Sequence, residues 1–405
     1  MNRNVKRLAA FSLVFVIVLG TFAGIIPSQG CDDHSKSSFA EWRESNDQTY
    51  LYVYSPSGEN YEIGQLQGFY LAEKILYIDQ IVSVFLAKFG LQYSDVSNLA
   101  YLYDTHIPDK YKLEMSGIAD GVNLYLESIG SVPYFDYSRI LVINTLSDVL
   151  HGILYPQMAA GTAQVGGCTA IGAVNRLFSW TQPVICQTID LSSFFAPGMA
   201  WVFIHTPKYK IFMPTGGAGL GAMFGKSEYV ASASTLVFSS APGVPGTPMT
   251  VQCRIALEKA KTAREFVDLL PRTFSLNWLV ADKNELYRAE VTPVEEVIAK
   301  INTTDVRTNT FTSEQMLQYV IDPEDSLERE AQVNERLDKY FHQGRYYQYI
   351  RNRHLLKILS EPPITKVSPP DKYSTVAFFL FVPGFRKGVF GIGNPRDASH
   401  GDLPF

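Results

Sequence analysis

A layered α+β fold is predicted from the order in which hydrophobic periodicities appear along the chain. Apolar residues recur at helical spacing from Ile63 to Leu154, and short alternating runs broken by Gly, Pro and Ser take over from Gly166. Helical patterns then return before the closing strands. This order differs from repeated strand–helix–strand units, and no internal repeat or long low-complexity tract is present. With 405 residues, 46% of them hydrophobic and 19% charged, the chain has the apolar content to bury a sizeable core.

The first segment reads as a targeting element. Asn2 to Arg7 is basic, Leu8 to Ile26 is uncharged and mostly apolar, and Pro27-Ser28-Gln29-Gly30 is a polar break. Residues 1–30 are therefore expected to be a signal peptide or, since the uncharged stretch approaches bilayer-spanning length, a membrane anchor. Gly30-Cys31-Asp32 adds a lipidated cysteine as a third form of attachment. The remainder is expected outside the cytoplasm, secreted or anchored to the outer face of the membrane. Its net charge opposes nucleic-acid binding: the whole chain carries −5, and the cations Arg3, Lys6 and Arg7 belong to the leader.

Residues 31–60 are polar and turn-rich, with Tyr50 to Tyr54 as the one strand predicted there. Ile63 to Leu91 predicts a helix, Ile107-Pro108-Asp109 opens a second with proline at a first-turn position, and Tyr137 to Leu154 reads as a third. Strands are predicted at Ala170 to Val174, Val184 to Ile189, Ala200 to Ile204, Lys210 to Met213 and Tyr229 to Phe238. Met249 to Lys261 returns to helix, and Thr262-Ala263-Arg264-Glu265 is a capping box that starts another, to Leu270. A hairpin over Asn277 to Ala281 and Tyr287 to Val291 follows. Ser326 to Phe341 is a charged amphipathic helix, and Thr375 to Val382 with Gly388 to Ile392 close the chain as strands.

Several familiar chemistries find no support. The run Gly217-Ala218-Gly219-Leu220-Gly221 with Gly225-Lys226-Ser227 fails as a phosphate loop, because Leu220 stands where glycine is needed and a strand pattern, not a helix, follows. Gly-x-Ser-x-Gly elbows are missing, and neither the four cysteines nor the seven histidines show metal-ligand spacing. No metal and no cofactor is expected. Cys186 and Cys253 are compatible with one disulfide in an oxidising compartment and equally with two buried thiols.

Gly166-Gly167-Cys168-Thr169 is different. Two glycines immediately before a thiol free the backbone for the tight geometry in which a cysteine attacks the carbonyl of its own preceding residue. Asp190 ends the apolar run that begins at Pro183, which puts a carboxylate at the end of the strand beside the one begun by Cys168. Asn309, in Arg307-Thr308-Asn309-Thr310, offers an amide for an oxyanion.

These segments together resemble the acyl-coenzyme A:6-aminopenicillanic-acid acyltransferase (isopenicillin-N acyltransferase) type family of cysteine N-terminal nucleophile hydrolases. The likeness runs from about Gly64 to the C-terminus. It is carried by Gly64-Gln65-Leu66-Gln67-Gly68, Gly117-Ile118-Ala119-Asp120-Gly121, Gly167-Cys168-Thr169, Gln187 to Asp190, Gly216 to Gly225, Gly246-Thr247-Pro248 leading to Arg254 to Glu258, Asn277 to Asp282 with Glu290, and Thr308-Asn309. The resemblance implies a four-layer αββα sandwich. It also implies a precursor cut between Gly167 and Cys168 into a helix-rich chain, 31–167, and a nucleophile-bearing chain, 168–405, which stay associated as one domain. Cys168 would supply both the thiol nucleophile and, through its new α-amine, the base. Asp190 would orient that amine and Asn309 would stabilise the oxyanion.

The expected substrate is a small-molecule linear amide, such as an N-acyl amino acid, a peptide-like conjugate or a lipid amide, attacked to form a Cys168 thioester. The sequence departs from the family pattern at Thr188, Thr310 and Ala233-Ser234-Thr235-Leu236. An arginine of the penicillin enzyme is also missing from Lys372-Tyr373-Ser374-Thr375. These departures motivate the rival reading, an exported binding protein that keeps the fold without catalysis.

Overall fold

The computed structural model describes residues 37–88, 90–154, 167–178, 180–321, 324–344, 347–366, 373–385 and 387–405. The leader, Cys31 and Gly166 lie outside them. Among the described residues, no helix is long and apolar enough to cross a membrane.

In chain order the strands are β1 (Phe39–Ser45), β2 (Gln48–Tyr54), β3 (Gly167–Leu177), β4 (Trp180–Ser192), β5 (Ala200–His205), β6 (Lys210–Thr215), β7 (Gly225–Ser227), β8 (Ala231–Leu236) and β9 (Leu276–Ala281). They continue with β10 (Leu286–Val291), β11 (Glu296–Ile301), β12 (Thr304–Arg307), β13 (His342–Gly344), β14 (Tyr347–Tyr349), β15 (Tyr373–Val382), β16 (Lys387–Ile392) and β17 (Gly401–Asp402). The α-helices are α1 (Asn60–Tyr70), α2 (Ala72–Lys88), α3 (Tyr93–Asp104), α4 (Asp109–Ser128), α5 (Tyr137–Ser147), α6 (Met249–Lys259), α7 (Ala263–Asp268), α8 (Glu324–Tyr340) and α9 (Asn352–Leu359).

Two sheets result. The nine-stranded sheet has the order β1-β2-β5-β6-β7-β8-β9-β10-β11, and the eight-stranded sheet runs β13-β14-β3-β4-β15-β16-β17 with β12 beside β3. In the first sheet β2 and β5 pair in parallel, and its other described ladders are antiparallel, so hairpin-type connections dominate.

Strand alternation sorts side chains into layers. In β4, Ile185 and Ile189 join Trp201, Phe212, Phe379 and Phe390 between the sheets, whereas Val184 and Cys186 face Val333, Leu337, Leu355 and Ile358 of α8 and α9. The outer face of the nine-stranded sheet carries a third apolar core, in which residues such as Val202, Ile204 and Val280 meet helices α1 to α7. The expected α+β, four-layer αββα arrangement is the one found. Aromatic contacts bridge the two sheets, with Trp201 and Phe390 centroids 5.2 Å apart and Phe224 and Phe379 4.8 Å apart.

The Cys186–Cys253 disulfide does not form. Both thiols are free and buried, Cys186 under α8 and α9 and Cys253 in α6 among the opposite helix layer, so both sheets separate them. The predicted helix over Ile63 to Leu91 is two helices divided at Leu71. The helix from Tyr137 passes into a π-helical segment at Asp148–Leu154. Strands β1 and β11 were not predicted: they are the two edges of the first sheet, β1 burying Ala40 alone and β11 no residue fully, so neither carries a buried apolar run.

The glycines shared by the early motifs pack helices. A Cβ on Gly68 would lie 2.1 Å from the Ile118 carbonyl oxygen, and one on Gly121 would lie 2.2 Å from that of Gln65, so α1 and α4 cross in backbone contact. The Gly-rich loop between β6 and β7 is held by the same helix layer. Gln67 Nε2 donates to Gly217 O at 3.0 Å, Asn144 Nδ2 to Ala218 O at 2.9 Å, and Arg254 Nη1 to Leu220 O at 3.1 Å.

Gly121→Ala must push two helix backbones apart, and a loss of about 1–3 kcal/mol of stability is expected. Gly216→Ala, which meets nothing within 4 Å, is the control and should leave the melting temperature nearly unchanged. Thermal denaturation of both variants checks this.

Candidate active site

Cys168 is the second residue of β3, and antiparallel pairing sets Gly167 opposite Asp190 and Cys168 opposite Ile189. Cys168, Ala170 and Val174 belong to the inter-sheet core, while Ile171 and Ala173 face α8 and α9, so the thiol points between the sheets. Burial, reinforced by the Asp190 charge, pushes its pKa up to about 12, with Arg329 acting in the opposite sense. In the uncut chain the thiol is therefore neutral at pH 7. Gln187 spans the two sheets: its Nε2 donates to Ser234 O at 2.6 Å and its Oε1 accepts from Ser234 N at 2.9 Å.

Asp190 is fully buried. Its Oδ1 accepts from Thr375 Oγ1 at 2.7 Å, while Oδ2 has no hydrogen-bond partner among the described residues. Burial raises its pKa to about 6 against the opposing effects of the Thr375 bond and the charges of Arg329 and Lys366. Thr375 is tied in turn to Lys366: Lys366 N donates to Thr375 Oγ1 at 2.9 Å, and Thr375 N donates to Lys366 O at 2.9 Å.

Asn309 sits on the loop after β12. Asn277 Nδ2 donates to the carbonyls of Thr308 and Thr310 at 2.9 and 2.7 Å, and the Glu290 carboxylate takes Thr312 N at 3.0 Å and Arg307 Nη1 at 2.7 Å. Asn277 and Glu290 thus hold the loop in place. Asn309 Oδ1 accepts from Cys168 N at 2.9 Å, and Nδ2 donates to Leu236 O at 2.8 Å. The amide group expected to donate to an oxyanion therefore turns its oxygen towards Cys168 while the Gly167–Cys168 bond is present.

The parts played by Thr375, Lys366 and a buried arginine in this cluster were missed in the sequence. Arg329 of α8 is buried, and its Nη1 donates to Cys168 O at 2.7 Å and Thr169 Oγ1 at 2.9 Å. Its Nη2 donates to Asn309 Oδ1 at 2.8 Å, and its Nε to Asp325 Oδ2 at 2.9 Å. The signal was present: Ser326, Arg329, Val333 and Leu337 form the buried stripe of α8, and a cation within such a stripe needs buried acceptors.

The three predicted residues and Gly167 thus converge, joined by Arg329, Thr375 and Lys366. No group of three or more His, Cys, Asp or Glu among the described residues is placed to hold a metal ion.

Residues 180–397 match the sequence profile of the family described as acyl-coenzyme A:6-aminopenicillanic acid acyl-transferase, which is more than half of the chain. The chain belongs to this family. It is thereby an acyltransferase- or amidohydrolase-type member of the N-terminal nucleophile hydrolases. The matched segment contains Asp190 and Asn309 and begins after Cys168. Among solved structures, the chain is similar to penicillin V acylase from Agrobacterium tumefaciens at 13% identity and TM-score 0.34, over 58% of this chain and 78% of that one. It is also similar to a mutant of conjugated bile acid hydrolase from Clostridium perfringens at 10% identity and TM-score 0.31, over 58% of this chain and 97% of that one. A search of curated proteins finds no match.

Arg329→Met removes a buried cation that serves Cys168 O, Thr169 and Asn309 together. Hydrogen bonds to charged groups contribute about 1.5–3 kcal/mol each, so a loss of at least ~2 kcal/mol is expected in denaturant unfolding. Substitution of Glu335, an exposed residue of the same helix, by Ala should cost under ~0.5 kcal/mol.

Proposed function

We propose that this protein is an exported, self-processing amidohydrolase or acyltransferase that cleaves linear amides through a thioester on Cys168. The observation that carries the reading is the convergence of Asp190, Asn309 and Arg329 on the Gly167–Cys168 peptide bond. In processing, Sγ attacks the Gly167 carbonyl carbon as the thiol proton passes to the Asp190 carboxylate. Collapse of the tetrahedral intermediate breaks the C–N bond, the nitrogen takes up the proton, and the acyl group of residue 167 is left on sulfur. Water then hydrolyses this thioester, returning the thiol and leaving Cys168 with a free α-amine.

Turnover repeats the chemistry on a substrate. The α-amine, with a reference pKa of about 7.7–8.0, is closely matched to a thiol of about 8.5 and accepts its proton as sulfur attacks the amide. The leaving amine takes that proton, and water or a second amine releases the acyl group. Asp190 orients the α-amine. Asn309, once freed from the peptide nitrogen it now contacts, and Arg329 polarise the site where negative charge develops; one such donor is worth about 3 kcal/mol in the transition state. The leader supports an extracytoplasmic setting, either secreted or membrane-attached. There, acyl-coenzyme A is not at hand, which favours water as acceptor.

Processing needs ionised Asp190, whose pKa is about 6, so its rate should rise with pH through that value. At pH 5 about a tenth of the carboxylate is ionised, which predicts cleavage roughly tenfold slower than at pH 7.5. Intact mass followed over time should show two pieces for the wild type, one piece for Cys168→Ala, and strong retardation for Asp190→Asn. A wild-type chain that stays whole yet binds an amide ligand would favour the non-catalytic binding protein instead.

A further inference from the structure

The turn that joins β3 to β4 carries a residue its backbone does not favour. Leu177 pairs with Trp180, so two residues close the hairpin, and Phe178, the first of them, has φ +56°. That position of a two-residue turn usually holds Asn, Asp or Gly, because a bulky side chain is strained in the left-handed region. Phe178 is also 78% exposed, and Leu177 beside it 46%. A strained backbone thus presents a large apolar side chain to solvent.

Cations gather at the same end of the second sheet. Gln348 of β14 stands opposite Arg176 of β3, and His342 of β13 stands opposite Tyr349. Asn175 Nδ2 donates to Ile350 O at 3.1 Å, and its Oδ1 accepts from Ile350 N at 2.8 Å. This clasp fixes Arg351, the residue that opens α9, beside β3 close to the hairpin turn. Arg351, Arg353 and Lys357 are exposed. Together with His342 they crowd His354, whose pKa is lowered by burial first and then by these four groups. Arg351 and Arg353 form no ion pair among the described residues, and Lys357 faces Glu361 at 3.9 Å, a carboxylate that also faces Arg336 at 3.8 Å. In a chain of net charge −5, this is a local excess of the opposite sign.

We infer that this end of the second sheet docks on a bilayer containing anionic lipids, with Phe178 and Leu177 entering the headgroup region and Arg351, Arg353 and Lys357 meeting lipid phosphates. Charge complementarity selects the partner. A bilayer offers anionic groups and apolar matter at adjoining depths, which is what an apolar tip flanked by cations requires. An acidic protein would need, in addition, a pocket shaped for the tip. The surface stands apart from the Cys168 chemistry, because Cys168 lies near the other end of β3, about 30 Å from Leu177 at ~3.3 Å per residue.

The test is hydrogen–deuterium exchange of the full chain with vesicles of phosphatidylcholine alone or in equal mixture with phosphatidylglycerol. Local exchange separates this face from the leader, which would bind lipid by its own route. The anionic vesicles should slow exchange at 176–178 and 350–357, and high salt should reverse the effect. Arg351→Gln combined with Arg353→Gln should raise the vesicle concentration needed for half of that protection about 30-fold. Phe178→Asn suits the left-handed backbone, so it should melt no lower than wild type and yet lose most of the protection at 176–178. Unchanged exchange at both segments, or equal protection by neutral and anionic vesicles, overturns the inference. A lower melting temperature for Phe178→Asn overturns it too, since Phe178 would then serve packing. Protection by polyglutamate and not by vesicles overturns it in favour of an acidic protein partner.

Discussion

The register of β3 against β4 is the constraint on which the site depends. Pairing Gly167 with Asp190 and Cys168 with Ile189 sends the thiol between the sheets and places the carboxylate beside the bond before it. A slip of one residue would exchange the two faces of β3, turning Cys168 towards α8 and α9 and Thr169 inward. Burial then sets the electrostatics. A neutral thiol and a carboxylate whose pKa is raised to about 6 are both consequences of excluding water.

Much of the surrounding structure holds this arrangement in place without touching the Gly167–Cys168 bond. Gln187 ties β4 to β8 across the inter-sheet space, and Asn277 and Glu290, both on the first sheet, hold the loop that presents Asn309. Arg329 reaches in from the outer helix layer to join Cys168 to Asn309. The site is thus assembled from both sheets and one helix. Residues that stand together in the family's sequence motifs turn out to serve different ends: Gly68 and Gly121 pack helices, and Arg254 anchors the Gly-rich loop while pairing with Glu114 and Glu258.

How far this could be read in the sequence depends on how local each signal is. The strands bearing Cys168 and Asp190 were legible because their apolar runs are central and nearly all buried. Asn309 was legible as a polar cluster at a hairpin exit. Edge strands β1 and β11 were not, since β1 buries Ala40 alone and β11 no residue fully, which leaves no buried apolar run to read. Arg329 and Lys366 were missed for another reason: each reaches the site from far along the chain, in a segment whose local pattern speaks of an amphipathic helix or a Pro-rich turn. A Cys186–Cys253 bridge was open to sequence reasoning, which had no means of knowing that two sheets lie between them.

The processing proposed for this protein makes residue 167 the last of one chain and residue 168 the first of another in the mature molecule. Edman sequencing of the larger fragment addresses it directly. Cleavage at this bond requires the read to begin Cys-Thr-Ala-Ile. A different starting residue, or material with no new amino terminus in that region, contradicts it.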